Sequence, residues 1–280
     1  MIQATSARRA QLAEAAQARR TSIWDTLHAE WTKARTLHST GWLLVTAVLL
    51  TVVVSAAVAA TVQCPSGYCA EDPAKISLTG IYLGQAVIAI MAVLAISGEY
   101  STGMIRITLA AMPRRATVLT AKATILTGPV LAAGTLAVLG SVLAGRLILP
   151  GHGIDPAHGY PALSLADGPV LRAAVGSVLY LALIALLSLG VATAVRDGAA
   201  AIGIVLGLLY LFPILGQVAG SGTWHRHLEQ LAPMTAGLAI QATTGLNGQP
   251  ISPWAGIGVL AGWAAAALLA GGILFRLRDA

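Results

Sequence analysis

Apolar residues in this chain come in six long runs, roughly Trp42–Val62, Ile76–Ile96, Ala123–Gly145, Ala173–Val195, Ala199–Gly220 and Trp254–Phe275. None of them holds an Asp, Glu, Lys or Arg. Crossing the apolar core of a bilayer takes about 20 such residues as a helix. Strands of a membrane barrel would be about half that length and would alternate polar with apolar positions. The pattern therefore predicts an all-α, polytopic membrane protein with six transmembrane helices, each satisfying its own backbone polar groups. No repeat of fixed period interrupts it, and no linker is long enough to set a soluble domain apart. Residues 42–280 read as one six-span domain.

A different pattern precedes the first run. In "SIWDTLHAEWTKARTLHSTGW", Ile23, Trp24, Leu27, Trp31 and Ala34 follow helical spacing, while Asp25, His28, Glu30, Lys33 and Arg35 fall largely on other faces. This predicts an amphipathic helix over 23–41 lying along the membrane interface, either as a lipid anchor alone or docked to a partner as well. Residues 1–22 read as a cytoplasmic tail to which no function is assigned. The first apolar run starts too late and is too long for a signal peptide, and no small-residue cleavage site follows a short apolar core.

Composition reinforces the membrane reading. Only 10% of residues are charged, against about 25% in soluble domains, and the mean hydropathy is +0.77. The net charge of +6 does not indicate nucleic acid, because the bases sit between apolar runs and not on one soluble face. Their distribution predicts orientation. With both termini cytoplasmic, thirteen of the Lys and Arg residues fall inside and only Lys75, Arg146, Arg172 and Arg226 outside. That places the chain in the cell membrane as a multi-pass protein, and its preference for Arg over Lys suggests a high-GC bacterial source.

The outer segments are short. Pro65, Ser66 and Gly67 can turn the chain between Cys64 and Cys69, its only cysteines, on the oxidising side. A disulfide and two free thiols both fit. Gly128-Pro129 in the third run predicts a kink or local break. His152, His158 and the "HRH" at 225–227 read as solvated rim residues, with no metal set. Residues 228–246 hold two short apolar stretches, Leu228–Leu231 and Thr235–Thr243, separated by Pro233. They predict a re-entrant or surface-lying helical hairpin capping the outer end.

Several chemistries lack their residues. No G-x-x-x-x-G-K-[ST] phosphate loop is present, so the chain cannot bind and split ATP by that route. No G-x-S-x-G elbow marks a nucleophile, and the chain does not read as an enzyme. The absence of ionisable residues from the six runs argues against a proton relay. What remains is a transport-like body whose energy source must be another subunit, met on the cytoplasmic side.

The inside stretch "SGEYSTGMIRITLAAMPRRATVLTAK" (97–122) is where such contact is expected. Glu99 falls at the negative pole of a helix, so it needs a compensating base or N–H group; Arg106, Arg114, Arg115 and a partner protein are candidates. Ser101 or Thr102 is placed to cap a new helix. Tyr100, Met104, Ile107 and Ala111 recur at helical spacing and predict one shared face. Pro113 ends that helix. A short helix held tightly between two spans can pass the movement of a docked subunit into both. The alternative is an interfacial turn whose bases bind lipid phosphates.

An acid closing span two, a glycine a few positions on, a Leu-Ala run, Pro-Arg-Arg and a Lys opening span three together resemble the type-two permease subunits of ABC exporters, in their compact actinobacterial form. "IWDTLHAEWTKARTLHSTGW" resembles that family's elbow helix, and "ISPWAGIGVLAGWAAAALLAGGILFRLRDA" its last span and basic tail. The resemblance extends over nearly the whole chain from Ile23. It departs at Met104, where the family pattern has Thr, and in lacking the long outer domain of some members.

This resemblance implies a permease that pairs with a second copy of itself or a close homologue, and with two copies of a cassette ATPase that holds ATP and Mg. No cofactor would be bound by the chain itself. Residues 99–113 would be the coupling helix region, with Glu99, Tyr100, Met104, Arg106, Ile107, Arg114 and Arg115 meeting the ATPase. Trp24 and Trp31 of the elbow helix would flank it, and Arg196 and Asp197 in "AVRDGAA" would make a second contact. Tyr82, Gln85, Tyr210, Phe212 and Gln217, on spans two and five, would lie near an amphipathic or hydrophobic substrate (a drug, antibiotic, lipid or peptide) that is moved outward. The competing expectations are an ion-coupled secondary carrier and a non-transporting membrane sensor or assembly protein.

Overall fold

A computed structural model describes residues 32, 38–62, 72–111, 115–155, 159–160, 163–218 and 223–278. Among these, regular structure is entirely helical. The α-helices are α1 (His38–Thr61), α2 (Pro73–Ser77), α3 (Ile81–Ser101), α4 (Met104–Ala111) and α5 (Arg115–Ile148). They continue with α6 (Gly168–Val195), α7 (Gly198–Val218), α8 (Thr223–Leu231), α9 (Pro233–Leu238) and α10 (Pro253–Arg278). Six of them, α1, α3, α5, α6, α7 and α10, are long and apolar enough to cross a membrane. The short α4 joins α3 to α5 and a tight turn at Arg196–Asp197 joins α6 to α7; one end of the bundle lies around Lys122 and another around Asp72.

The observed boundaries differ from the apolar runs where local capping intervenes. Span two begins at Ile81, because Asp72 caps a separate short helix: its Oδ1 accepts from the N–H groups of Ala74 (3.0 Å) and Lys75 (3.3 Å), with Pro73 at the first helical position. Span three begins at Arg115 and runs as one helix through Pro129, so of the expected kink or local break the break is not seen, and Lys122 lies within the helix. The outer helices α8 and α9 meet at Ala232, whose backbone is extended as a residue before proline favours. Two short helices are present near the predicted stretches, but with other bounds: α8 begins earlier, at Thr223, and α9 spans Pro233–Leu238 and not Thr235–Thr243.

Helix α6 is the hub. It packs against α10, α3, α5 and α7, and 61% of its apolar stretch is buried, against 17% for α7 and α10. A helix that is apolar all round is stable only when surrounded. Tyr180, Ile184, Leu187 and Leu189 form its fully buried centre. Glycines permit its closest crossing: a Cβ on Gly190 would lie 2.5 Å from the carbonyl carbon of Ala267, and one on Gly271 2.6 Å from the oxygen of Gly190. Close packing of this kind holds helices together where lipid removes the hydrophobic drive.

The outside of the bundle is apolar too. Trp42, Val45, Leu49 and Val53 form an exposed stripe on α1, and Leu136, Leu139, Leu143 and Leu147 form another on α5. Water would penalise such surfaces, whereas lipid covers them. Inside, hydroxyls bond back to their own helix: Thr51 to Ala47 O (2.7 Å), Ser188 to Ile184 O (2.7 Å) and Thr193 to Leu189 O (2.7 Å).

Candidate functional site

The Lys122 end gathers most of the described residues that the charge distribution assigns to the cytoplasm. Helix α3 stops in two steps. The Ser101 and Thr102 hydroxyls both donate to Gly98 O (3.1 and 2.7 Å), and Gly103 takes a left-handed φ of 71° with its N–H on Tyr100 O (3.2 Å). This is a glycine-terminated helix end. Ser101 and Thr102 therefore close α3 instead of capping α4, correcting the expectation for them.

The reversal at Gly103 also separates Tyr100 from α4, so the expected shared face of Tyr100, Met104, Ile107 and Ala111 is broken. Helix α4 buries Ile105 and Thr108 and exposes Met104 and Ile107, the latter 72% exposed. An eight-residue helix with an apolar outer face thus sits between two long helices.

A buried ion pair fastens those two helices. Lys122 Nζ on α5 lies 2.7 Å from Glu99 Oε1 on α3, with the side chains only 6% and 10% exposed. Among the described side chains the base near Glu99 is Lys122, which was not among the candidates read from the sequence. The signal that could have found it is topological. An acid ending one span and a base early in the next share one end of the bundle.

The α6–α7 turn completes this end. Arg196 has a left-handed φ of 66° and ends α6. Its guanidinium carbon lies 5.6 Å from the centre of the Tyr100 ring, and Nη2 donates to Leu274 O on α10 (3.5 Å). Asp197 Oδ1 accepts from Ala200 N–H (2.7 Å) and caps α7. Ser97 packs against Gly198, where a Cβ would lie 2.9 Å from its Oγ. Glu99, Tyr100, Lys122, Arg196 and Asp197 thus form one cluster joining α3, α5, α6, α7 and α10. Trp24, Trp31 and Arg114 lie outside the described residues, as do Cys64 and Cys69. The side chains of Arg106, Arg115 and Gln217 are likewise outside the description.

The substrate-path expectation divides. Gln85 is fully buried: Nε2 donates to Tyr82 O (3.2 Å) and meets Met234 Sδ (3.2 Å), while Oε1 accepts from the Tyr180 hydroxyl. The Tyr210 hydroxyl donates to Tyr82 O. Gln85 and Tyr210 are therefore ties among α3, α6, α7 and α9. Tyr82 and Phe212 instead line a cavity of about 200 Å³ at the Asp72 end.

That end has a second polar knot which the sequence reading missed. Beyond capping α2, Asp72 accepts from the Thr243 hydroxyl (2.6 Å), the Thr243 N–H and the Thr244 N–H (3.0 Å). Arg172 Nη2 donates to Ala242 O (2.5 Å). One acid and one base hold three successive backbone groups of the outer segment. Asp72-Pro73 is a helix-start signal that marks the cap; nothing local marks Thr243, 171 residues away. Compared with known proteins, the chain matches no family model and no curated protein.

Proposed function

We propose that this chain is the membrane permease subunit of an ATP-driven exporter, with its Lys122 end in the cytoplasm. The observation that carries the reading is α4: a short helix with exposed Met104 and Ile107, set between two spans that the buried Glu99–Lys122 pair locks together. A docked motor pushing on α4 would move α3 and α5 as one. The missing phosphate loop, the thirteen-to-four charge bias and the resemblance to type-two ABC permeases support the same reading. The ATPase supplies hydrolysis with its own ATP and Mg, two permeases pair around the path, and the substrate is amphipathic. The protein resides in the cell membrane of a bacterium with a high-GC genome.

The test is reconstitution in vesicles with a cassette ATPase subunit from the same organism. The chain alone is expected to hydrolyse no ATP, and the pair to couple hydrolysis to efflux. A photo-cross-linker at Ile107 is expected to capture the ATPase. Robust ATP-independent uptake by the chain alone would overturn the assignment.

The buried charges of Glu99 and Lys122 favour a second reading, an ion-coupled carrier. In that case Glu99→Gln changes the ion dependence of transport and leaves ATPase assembly untouched.

A further inference from the structure

The cavity at the Asp72 end is built from three separate parts of the chain. Tyr82 comes from the first turn of α3, Phe212 from the last turns of α7, and Met234 and Leu238 from α9 in the outer hairpin. Its volume of about 200 Å³ is below the roughly 300 Å³ floor of pockets for drug-sized ligands, so its occupant is small. The wall is mostly apolar. Glu229 also lines it and has an interaction of its own, and no Lys, Arg or His stands among the described lining residues. Nothing in the wall demands a charged occupant.

The polar groups around the cavity are engaged, with one exception. The Tyr82 carbonyl accepts from Gln85 Nε2 (3.2 Å) and from the Tyr210 hydroxyl. Gln85 Nε2 also meets Met234 Sδ (3.2 Å), and the Thr235 hydroxyl donates to Glu229 O (3.0 Å). The hydroxyl of Tyr82, by contrast, has no hydrogen-bond partner among the described residues. A donor left unmet against an apolar wall costs free energy, which an acceptor on a ligand recovers.

We propose that this cavity binds a small neutral aromatic compound with one hydrogen-bond acceptor. The rings of Tyr82 and Phe212 offer edge and offset contacts to a third ring. The thioether of Met234 adds a favourable sulfur–ring contact. The acceptor takes the Tyr82 hydroxyl, and the apolar body lies toward Met234 and Leu238. A wholly apolar ligand would leave that hydroxyl unmet, and an anion would find no base. Because the wall joins α3, α7 and the outer hairpin, the occupant bridges all three.

As a stage on an export path the cavity rests on the exporter reading; as a binding site it does not. The probe is benzophenone, a neutral two-ring ketone that attaches to nearby C–H bonds under ultraviolet light. The full chain, without ATPase, is labelled in phosphatidylcholine nanodiscs, and adducts are located by peptide mass spectrometry. Saturable labelling at Met234 or Leu238 is expected, suppressed by excess acetophenone. The exposed stripe of α5 from Leu136 to Leu147 is the internal control, where labelling rises in proportion to the probe. Tyr82→Phe removes only the hydroxyl and raises the half-saturating concentration about three- to tenfold. Phe212→Leu keeps apolar bulk but loses the ring, and raises it about two- to tenfold. Each variant is checked for an unchanged melting temperature.

Labelling at Met234 and Leu238 that never saturates, as on the α5 stripe, overturns the proposal. So does a stable Tyr82→Phe variant that labels like the parent. Benzyltrimethylammonium that suppresses labelling as well as acetophenone does would mark a cation site and overturn it too. Saturable labelling of a chain that fails to assemble with the ATPase keeps the site and defeats the exporter reading. Assembly and coupled efflux without saturable labelling keep the exporter reading and defeat the site.

Discussion

Lys122 Nζ sits 2.7 Å from Glu99 Oε1, joining two helices across 23 residues of sequence in a setting closed to solvent. Burying two charges is costly, and removing one partner leaves the other uncompensated. Glu99→Gln or Lys122→Met alone is expected to lower stability by about 3–5 kcal/mol. The double variant Glu99→Gln/Lys122→Met, which removes both charges, is expected to recover at least half of that loss. Denaturant unfolding of the purified chain in one detergent measures all three. Losses for the single variants below about 1 kcal/mol, typical of an exposed pair, would show that the charges are not locked together.

Asp72 supports a second, more local prediction. Its carboxylate accepts from two N–H groups of α2 and from three groups of Thr243 and Thr244. Asp72→Asn replaces one acceptor oxygen by a donor that faces N–H groups. Hydrogen bonds to a charged acceptor contribute about 1.5–3 kcal/mol each in favourable cases. Faster amide exchange over 242–248 is expected, with α6 and α10 unchanged. Equal exchange in both proteins would mean that the outer segment is held by something other than Asp72.

How much of this could be read from the chain depends on the range of each interaction. The six spans were legible because an apolar run of bilayer length is a local signal. So was the hairpin break near Pro233, a rule about one peptide unit. The partner of Glu99 was not, because four bases share its end and only packing brings Lys122 to it. Ser101 and Thr102 carry a helix-start signature, yet Gly103 in the left-handed region turns the same residues into a helix end. Gln85 and Tyr210 looked like path residues because polar side chains in a span invite a functional reading. Their partners lie on other helices, and sequence alone cannot show that they are already satisfied. Of the cavity lining, only Tyr82 and Phe212 stood out in the sequence, because packing alone brings the rest beside them.

The glycines of the bundle are expected to separate into two classes. A Cβ at Gly190 meets the backbone of α10 at 2.5 Å, and neither main chain can yield without moving its helix. Gly190→Ala is therefore expected to destabilise by about 1–3 kcal/mol or more. At Gly203 and Gly207 on α7 a Cβ meets nothing within 4 Å. There alanine is expected to be neutral or to stabilise by up to about 1 kcal/mol through helix propensity. Melting temperatures of the three single variants in detergent check this. A Gly190→Ala variant as stable as the parent would contradict the close α6–α10 crossing.

The exposed face of α4 yields the last prediction. Ile107 is 72% exposed and Met104 42%, so neither contributes much to the fold of the isolated chain. Ile107→Asp is expected to change its melting temperature little, as surface substitutions generally stay within about 0.5 kcal/mol. If α4 receives the motor, the same change places a charge in an apolar contact and is expected to cost ATPase binding and coupled efflux at least about tenfold. Ile105→Asp behaves differently, because Ile105 is 7% exposed and packs inward; it is expected to destabilise the chain itself. Measuring melting temperature and ATPase co-purification for both variants separates docking from folding. An Ile107→Asp protein that melts normally and still assembles with full coupled activity would remove α4 as the point of contact.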